Sequence, residues 1–197
     1  MPHNVKELNQ SNAHLQYVLG NAYYVGLGVA QNHATAVDWY QKAANQNYTD
    51  AVYKLGSCFL TGEGVPKDPA RAADYFAKAA GQNHSAAQNS LAELYFHGIG
   101  VKQDYEQTVK WLTEGASRGC AAAQSNLGVC YYRGFGVPQD YAMAVHWFSQ
   151  AARANYATSQ FYLGVCHKNG HGASEDPAIA VEWFSKAANQ GYAPAQN

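Results

Sequence analysis

Apolar residues recur three and four positions apart along most of this chain, in short stretches of two alternating kinds. The first kind is represented by "AQSNLGVCYYRG", in which Leu127, Gly128 and Tyr131 share one face of a helix. The second kind reads "AVDWYQKAA", "AADYFAKAA", "TVKWLTEGA", "AVHWFSQAA" and "AVEWFSKAA", with one aromatic slot held by Trp39, Tyr75, Trp111, Trp147 and Trp183. No stretch reads as a strand, so the pattern predicts paired helices, A and B.

A glycine turn separates the two helices of each pair: "GLGVAQN", "GEGVPKD", "GIGVKQD", "GFGVPQD" and "GHGASED". Their first glycines stand at 26, 62, 98, 134 and 170, a constant step of 36 residues. A fixed period of this size marks a solenoid. The units run 14–49, 50–85, 86–121, 122–157 and 158–193, a sixth starts at 194, and residues 1–197 read as one array. A chain of 36 residues seldom folds alone, so the units are expected to stack, each burying its neighbour's open face.

The ends of the helices are marked. Asn32, Asp68, Asp104, Asp140 and Asp176 are residues that cap helix N-termini, and Pro69 and Pro177 follow at the first helical position, where a missing N–H does no harm. The B helices stop at Asn47, Asn83, Gly119, Asn155 and Gly191, the two residue types that tolerate a left-handed backbone. Gly20, Gly56, Ala92, Gly128 and Gly164 share one slot in the middle of helix A. A mid-helix glycine costs about 1 kcal/mol against alanine, so another helix backbone is expected to pack there.

The G-x-G spacing raises the question of a phosphate loop. Such a loop occurs once, between a strand and a helix; here it occurs five times, always after a helix, and reads as a turn. The position between the two glycines varies, and Glu63→Ala there is expected to change stability by no more than about 0.5 kcal/mol.

Composition narrows the function. The chain is 47% hydrophobic and 13% aromatic, ample for a core, but only 14% charged, with 13 scattered basic residues and a net charge of -1. Nucleic-acid binding, which needs clustered Lys and Arg, is not expected. No run reaches the 18 to 20 apolar residues of a membrane span, so no membrane insertion is expected. The opening "MPHNVKELNQSNAHLQ" has no apolar signal core. For a chain that naturally starts at Met1, this favours the cytoplasm or a leaderless export route.

The composite A-x4-L-G-x2-Y-x2-G-x-G-V-x2-D-x3-A-x2-W-[YF]-x-K-A-A-x2-G closely resembles the Sel1-like repeat family, a relative of the tetratricopeptide repeats, across all five units. The resemblance implies an all-α, right-handed α/α solenoid whose A helices line a concave groove. It also implies a non-enzymatic adaptor or scaffold that binds another protein or a peptide, as bacterial host-interaction and envelope-signalling members do. The fifth unit departs from the pattern, with His167 in an aromatic slot and Ala173-Ser174 after the turn. A cysteine-rich secreted branch that binds β-lactams supplies the alternative, a β-lactam binder or weak hydrolase. That branch bridges its helices through C-x7-C pairs, which this chain lacks.

Candidate chemistry is sparse. Cys58, Cys130 and Cys166 share a slot one repeat or more apart, and are expected to be buried free thiols. Cys120 stands where other units have Tyr48, His84, Tyr156 and Tyr192. Cys166, His167 and His171 in "CHKNGHG" lack a fourth ligand and face different ways, so neither a metal nor a cofactor is expected. The capping aspartates lie a full repeat apart, and no catalytic constellation stands out.

The groove remains. By analogy with related solenoids the inward slots hold Tyr17, Asn21, Tyr24 and Val25; Tyr53, Ser57, Leu60 and Thr61; Asn89, Glu93, Phe96 and His97; Ser125, Val129, Tyr132 and Arg133; and Phe161, Val165, Lys168 and Asn169. Tyrosine gives contact area at low entropy cost and asparagine bonds a peptide backbone, which suits a peptide-binding wall; against it stands simple packing of the aromatics on the next helix. At the ends, residues 1–13 are polar enough to shield the first unit, whereas "YAPAQN" only begins a sixth. The face around Val181, Phe184 and Ala188 is left to a continuing chain or to a two-fold homodimer.

Overall fold

A computed structural model describes residues 12–192 and 195; the expected N-terminal shield and the start of a sixth unit fall largely outside them. Within the described residues there are ten helices and no strand. They are α1 (Ala13–Val25), α2 (His33–Asn45), α3 (Thr49–Thr61), α4 (Pro69–Gly81), α5 (Ser85–His97), α6 (Tyr105–Ser117), α7 (Ala121–Arg133), α8 (Tyr141–Arg153), α9 (Ala157–Asn169) and α10 (Pro177–Asn189). Odd-numbered helices up to α9 are the A helices and even-numbered ones the B helices. The fold class is thus the all-α succession of helix–turn–helix repeats that the periodicity predicts.

The helices fall into two compact units, residues 1–103 and 104–197. In the first, α1 to α5 pack each on the next; in the second, α6 to α10 do the same, and α7 also touches α9.

Every A helix ends by one device. Gly62 takes a left-handed backbone (φ 86°), and its N–H and that of Glu63 both donate to the Cys58 carbonyl, at 2.8 and 3.2 Å. The turn then closes on helix A twice. The Asp140 N–H donates to the Tyr131 carbonyl at 2.9 Å while its carboxylate accepts from the Met143 N–H at 2.9 Å. Asn32, Asp68, Asp104 and Asp176 cap their helices in the same way. Gln31, Gln103 and Gln139 add a side-chain bond to the carbonyls of Tyr24, Phe96 and Tyr132, at 2.9, 2.7 and 2.8 Å. His167 closes the divergent fifth turn through Nδ1, 3.1 Å from the Ser174 carbonyl. The B helices end as expected, at left-handed Asn47, Asn83, Gly119, Asn155 and Gly191.

The small slot of helix A has a different cause from the one expected. No helix backbone is its main neighbour; the ring of a B-helix aromatic packs against it. A Cβ on Gly128 would come 2.6 Å from the Phe148 ring, and one on Gly20, Gly56 or Gly164 would come 2.5 to 2.6 Å from Tyr40, Phe76 or Phe184. These rings stand one position after the Trp39-type slot. Tyr40, Phe76 and Phe148 are fully buried, whereas the tryptophans stay half-exposed. In the third repeat the same two slots of the sequence hold Ala92 and Leu112, a methyl group and a side chain smaller than an aromatic ring.

Glutamines, three of them buried, brace neighbouring helices, a feature the helical periodicity does not announce. Gln88 and Gln124 donate to the carbonyls of Ala80 and Ala116 at the end of the preceding B helix, both at 3.1 Å. Gln46 and Gln190, just past their B helices, donate to Gln16 and Gln160 at 2.9 and 2.7 Å. A buried amide so bonded fixes the separation of the two helices, because losing one partner leaves the other unsatisfied.

Two stability predictions follow from these contacts. Gly128→Ala gains about 1 kcal/mol of helix propensity but overpacks the Phe148 ring at a cost of about 1–3 kcal/mol, so urea denaturation should show a net loss or, at most, no gain. Combining it with Phe148→Leu, which removes the ring that the added methyl group would meet, should return a favourable coupling of about 0.5 kcal/mol or more in a double-mutant cycle. Strict additivity would contradict the contact. Separately, Asp140→Ala should lower stability by about 1 kcal/mol through loss of the cap, seen as a lower denaturation midpoint with an unchanged slope.

Candidate protein-binding face

The A-helix residues assigned to the groove divide by exposure. Tyr17, Asn21, Tyr24, Tyr53, Ser57, Leu60, Phe96 and Phe161 are half-buried, and Glu93, His97, Arg133 and Lys168 are exposed. Asn89 and Tyr132 keep only 8% exposure and Ser125 none, so these three belong to the packing rather than to an open wall. In the first unit the remaining residues sit on α1, α3 and α5; in the second they sit on α7 and α9.

The half-buried aromatics are held by a recurring group of three rings. Tyr17 lies against Tyr40 and Tyr48, with centroids 6.0 and 5.2 Å away. Tyr53 lies against Phe76 and His84 at 5.6 and 4.6 Å, and Phe161 against Phe184 and Tyr192 at 5.6 and 5.4 Å. One edge of each ring is thus committed to packing, and the half-exposed remainder is rigidly placed. Several polar groups are also engaged within the chain. Asn21 accepts from the Tyr40 hydroxyl at 2.8 Å, Ser57 donates to the Tyr53 carbonyl at 3.3 Å, and Asn89 donates to Glu93 at 2.8 Å.

The variable residue of the G-x-G turn, expected to be inert, is a connector between successive repeats. The Tyr24 hydroxyl donates to Glu63 at 2.5 Å, and the Thr61 hydroxyl donates to the same oxygen at 3.1 Å. His33 stacks on the Tyr24 ring, with centroids 4.8 Å apart. These bonds hold the Glu63 carboxyl below its ordinary range, and the bond to Glu63 together with burial pushes Tyr24 up to about 12. Three repeats on, His171 occupies the position of Glu63. It shares a 2.9 Å hydrogen bond with Tyr132 and stacks on Tyr141 at 4.3 Å. Sequence variability at this position reflects a partner that changes with it.

His171 is therefore engaged on the turn and His167 inside its own turn. Among the described residues no three His, Cys, Asp or Glu side chains gather as metal ligands. All four cysteines are free; burial pushes the thiols of Cys58, Cys130 and Cys166 up to about 11, so they remain protonated at neutral pH. Cys120 is half-buried at the N-terminal boundary of α7 and makes no capping bond. No described helix is long and apolar enough to cross a membrane.

The Sel1 repeat model matches residues 13–48, 49–84, 85–120, 121–156 and 157–192, one residue ahead of the boundaries set from periodicity. The chain belongs to the Sel1 repeat family. Among solved structures, this Sel1 repeat chain is 36% identical to a protective antigen of uropathogenic Escherichia coli strains that displays an SLR fold, over 98% of its own length, with a TM-score of 0.91. It spans 42% of that antigen. A Sel1 repeat protein of Oxalobacter formigenes is 32% identical over 94% of this chain and 74% of its own, at a TM-score of 0.90. An immunity protein of Pseudomonas aeruginosa, 21% identical over 93% of this chain and 67% of its own at a TM-score of 0.60, shares the fold alone. Comparison with curated protein sequences finds no match. Sel1 repeat proteins typically mediate protein–protein interactions on a repeat scaffold that is generally non-catalytic.

The Glu63 contact has a pH signature. Because the folded-state pKa of Glu63 is lowered, its contribution is present above the ordinary glutamate range and is lost as pH falls through the lowered value. The melting temperature of Glu63→Ala should lie below that of the parent at neutral pH, and the gap should close on acidification. A gap that is absent at neutral pH, or that persists in strong acid, would remove Glu63 from the repeat contact.

Proposed function

We propose that this Sel1 repeat chain is a non-enzymatic scaffold that binds peptide segments of another protein on the exposed A-helix face of each of its two units. The reading is carried by the rigidly placed, half-exposed rings of Tyr17, Tyr53 and Phe161, each fixed by two further rings. An aromatic already ordered by its neighbours loses little entropy when a ligand covers its remaining face, which is the property of an interface anchor. Ser57, Glu93, His97, Arg133 and Lys168 supply the polar surroundings, with the charges at the rim. Family membership supports the class of function, and peptide recognition on this face is the finer step. β-Lactam binding is not favoured by any contact described, since all four cysteines are free and the inter-helix bridges of that branch have no counterpart.

Panning a displayed peptide library against the full chain tests the proposal. Peptides selected on the first unit should lose at least tenfold in affinity on Ser57→Arg and those selected on the second on Lys168→Glu, with melting temperatures unchanged. Affinity should fall less than tenfold between low and physiological salt, because few charges line the face. Peptides indifferent to both substitutions would move the site elsewhere, and turnover of a chromogenic β-lactam would replace the scaffold reading with an enzyme.

A further inference from the structure

The turn that follows a B helix carries one side chain that supports the half-exposed ring beside it. Tyr48 supports Tyr17, His84 supports Tyr53 and Tyr192 supports Phe161. The five occupants of this position are Tyr48, His84, Cys120, Tyr156 and Tyr192. The second repeat thus places there the one imidazole, the side-chain type that takes up a proton between about pH 8 and 5.

His84 also does what its counterparts do not. Its Nδ1 accepts the Ala87 N–H at 3.1 Å and so caps α5, whereas Tyr48, Cys120 and Tyr156 make no side-chain capping bond. An imidazole nitrogen that accepts from an amide carries no proton, so the hydrogen of the neutral ring sits on Nε2. Nε2 lies 3.2 Å from Asp50 Oδ1, on α3. The ring is held from both sides in one tautomer, and Tyr53 stacks on it with centroids 4.6 Å apart and planes at 25°. Its side chain keeps 19% exposure, so water reaches it.

A second proton can enter only at Nδ1, where it would face the Ala87 N–H. Two donors then meet, and the cap is lost. The new charge also stands at the positive end of α5, whose first turn holds no acidic residue. Asp50 draws it the other way. On α3 the other charged neighbour is Lys54, whose ammonium lies over the Tyr24 ring, 5.7 Å from its centroid. The last turn of α4 offers Lys78, another cation. From α1, His14 Nδ1 lies 2.8 Å from the Tyr48 hydroxyl, which burial and then Asp50 hold above the ordinary tyrosine range and so in its neutral form. Asp50 is the one acid among these neighbours, and a charged His84 has its partner there and not at α5.

We propose that His84 is a proton-operated support for Tyr53: neutral, it caps α5 and fixes the ring; charged, it leaves the cap for Asp50 and loosens Tyr53. Resting on the reading of Tyr53 as an anchor, this makes acid weaken peptide binding by the first unit. Phe161 in the second unit rests on Tyr192 and has no imidazole beneath it.

Amide exchange of the full chain, followed by NMR at about pH 8 and 5 and corrected for the intrinsic rate, tests the support without any peptide. Protection of the Ala87 N–H should fall about fivefold in acid, the loss expected of one N-cap, and the Tyr53 ring signals should shift with it. His84→Asn keeps a capping side chain that does not titrate, and its Ala87 protection should be level across the range. Affinity for a peptide selected on the first unit should fall roughly threefold or more in acid for the parent, as the competent fraction falls, and stay level for His84→Asn. An Ala87 amide equally protected at both pH values, or one that loses protection alike in parent and variant, would overturn the proposal. Tyr53 signals or a peptide affinity that hold steady while the cap opens would overturn it as well. A chain that binds no peptide at either pH would overturn the scaffold reading alone, because the exchange result needs no peptide.

Discussion

A helix with a bare backbone strip and an aromatic ring laid on that strip form the contact on which this architecture rests. Helix A and helix B of one repeat meet where Gly20, Gly56, Gly128 or Gly164 receives Tyr40, Phe76, Phe148 or Phe184. The ring fills the space a side chain would occupy, and its outer edge supports the next aromatic out, Tyr17, Tyr53 or Phe161. One contact therefore sets the spacing of the helices and the position of the rings on the A-helix face. In this chain stability and surface presentation are the same problem, because these half-buried rings are the outer layer of the core.

Much of the fold was legible because its punctuation is local. Left-handed Asn and Gly at the helix ends, Asp at the N-caps and a glycine pair at each turn are dictated by backbone geometry within a few residues, and a constant period repeats each statement five times. What lay across the gap between helices was less legible. The small slot was correctly read as a close approach, but nothing within helix A says whether a backbone or a ring approaches it. The neighbouring Trp slot is aromatic in all five repeats and half-exposed, while the buried ring stands one position later. The glutamine braces were visible only as a recurrence, Gln16, Gln88, Gln124 and Gln160, in a slot that hydropathy scores as polar and therefore assigns to solvent.

The exposure of the residues assigned to the groove was legible to a lesser degree. Slot analogy placed twelve of its fifteen residues at half-buried or exposed positions, yet Asn89, Ser125 and Tyr132 lie in the packing. The analogy transfers a direction along the helix but not the size of the neighbours, and it is the neighbours that decide whether a side chain in that direction reaches water. The variable residue of the turn was misread for the opposite reason. Variation within an array looks like indifference when units are compared slot by slot, whereas Glu63 with Tyr24 and His171 with Tyr132 and Tyr141 show matched pairs that straddle two units.

Matched pairs across unit boundaries bear on how such an array can be remodelled by recombination. Duplicating or deleting one whole 36-residue unit leaves every helix cap and turn intact, but it sets a turn residue against a new neighbour. Glu63 transplanted after the fourth unit would again find a tyrosine hydroxyl, from Tyr132, whereas after the fifth it would meet Lys168 and Pro177. Units are thus interchangeable in backbone and not in side chain. These pairs act as a grammar of permitted neighbours, so the order of the repeats is itself inherited information.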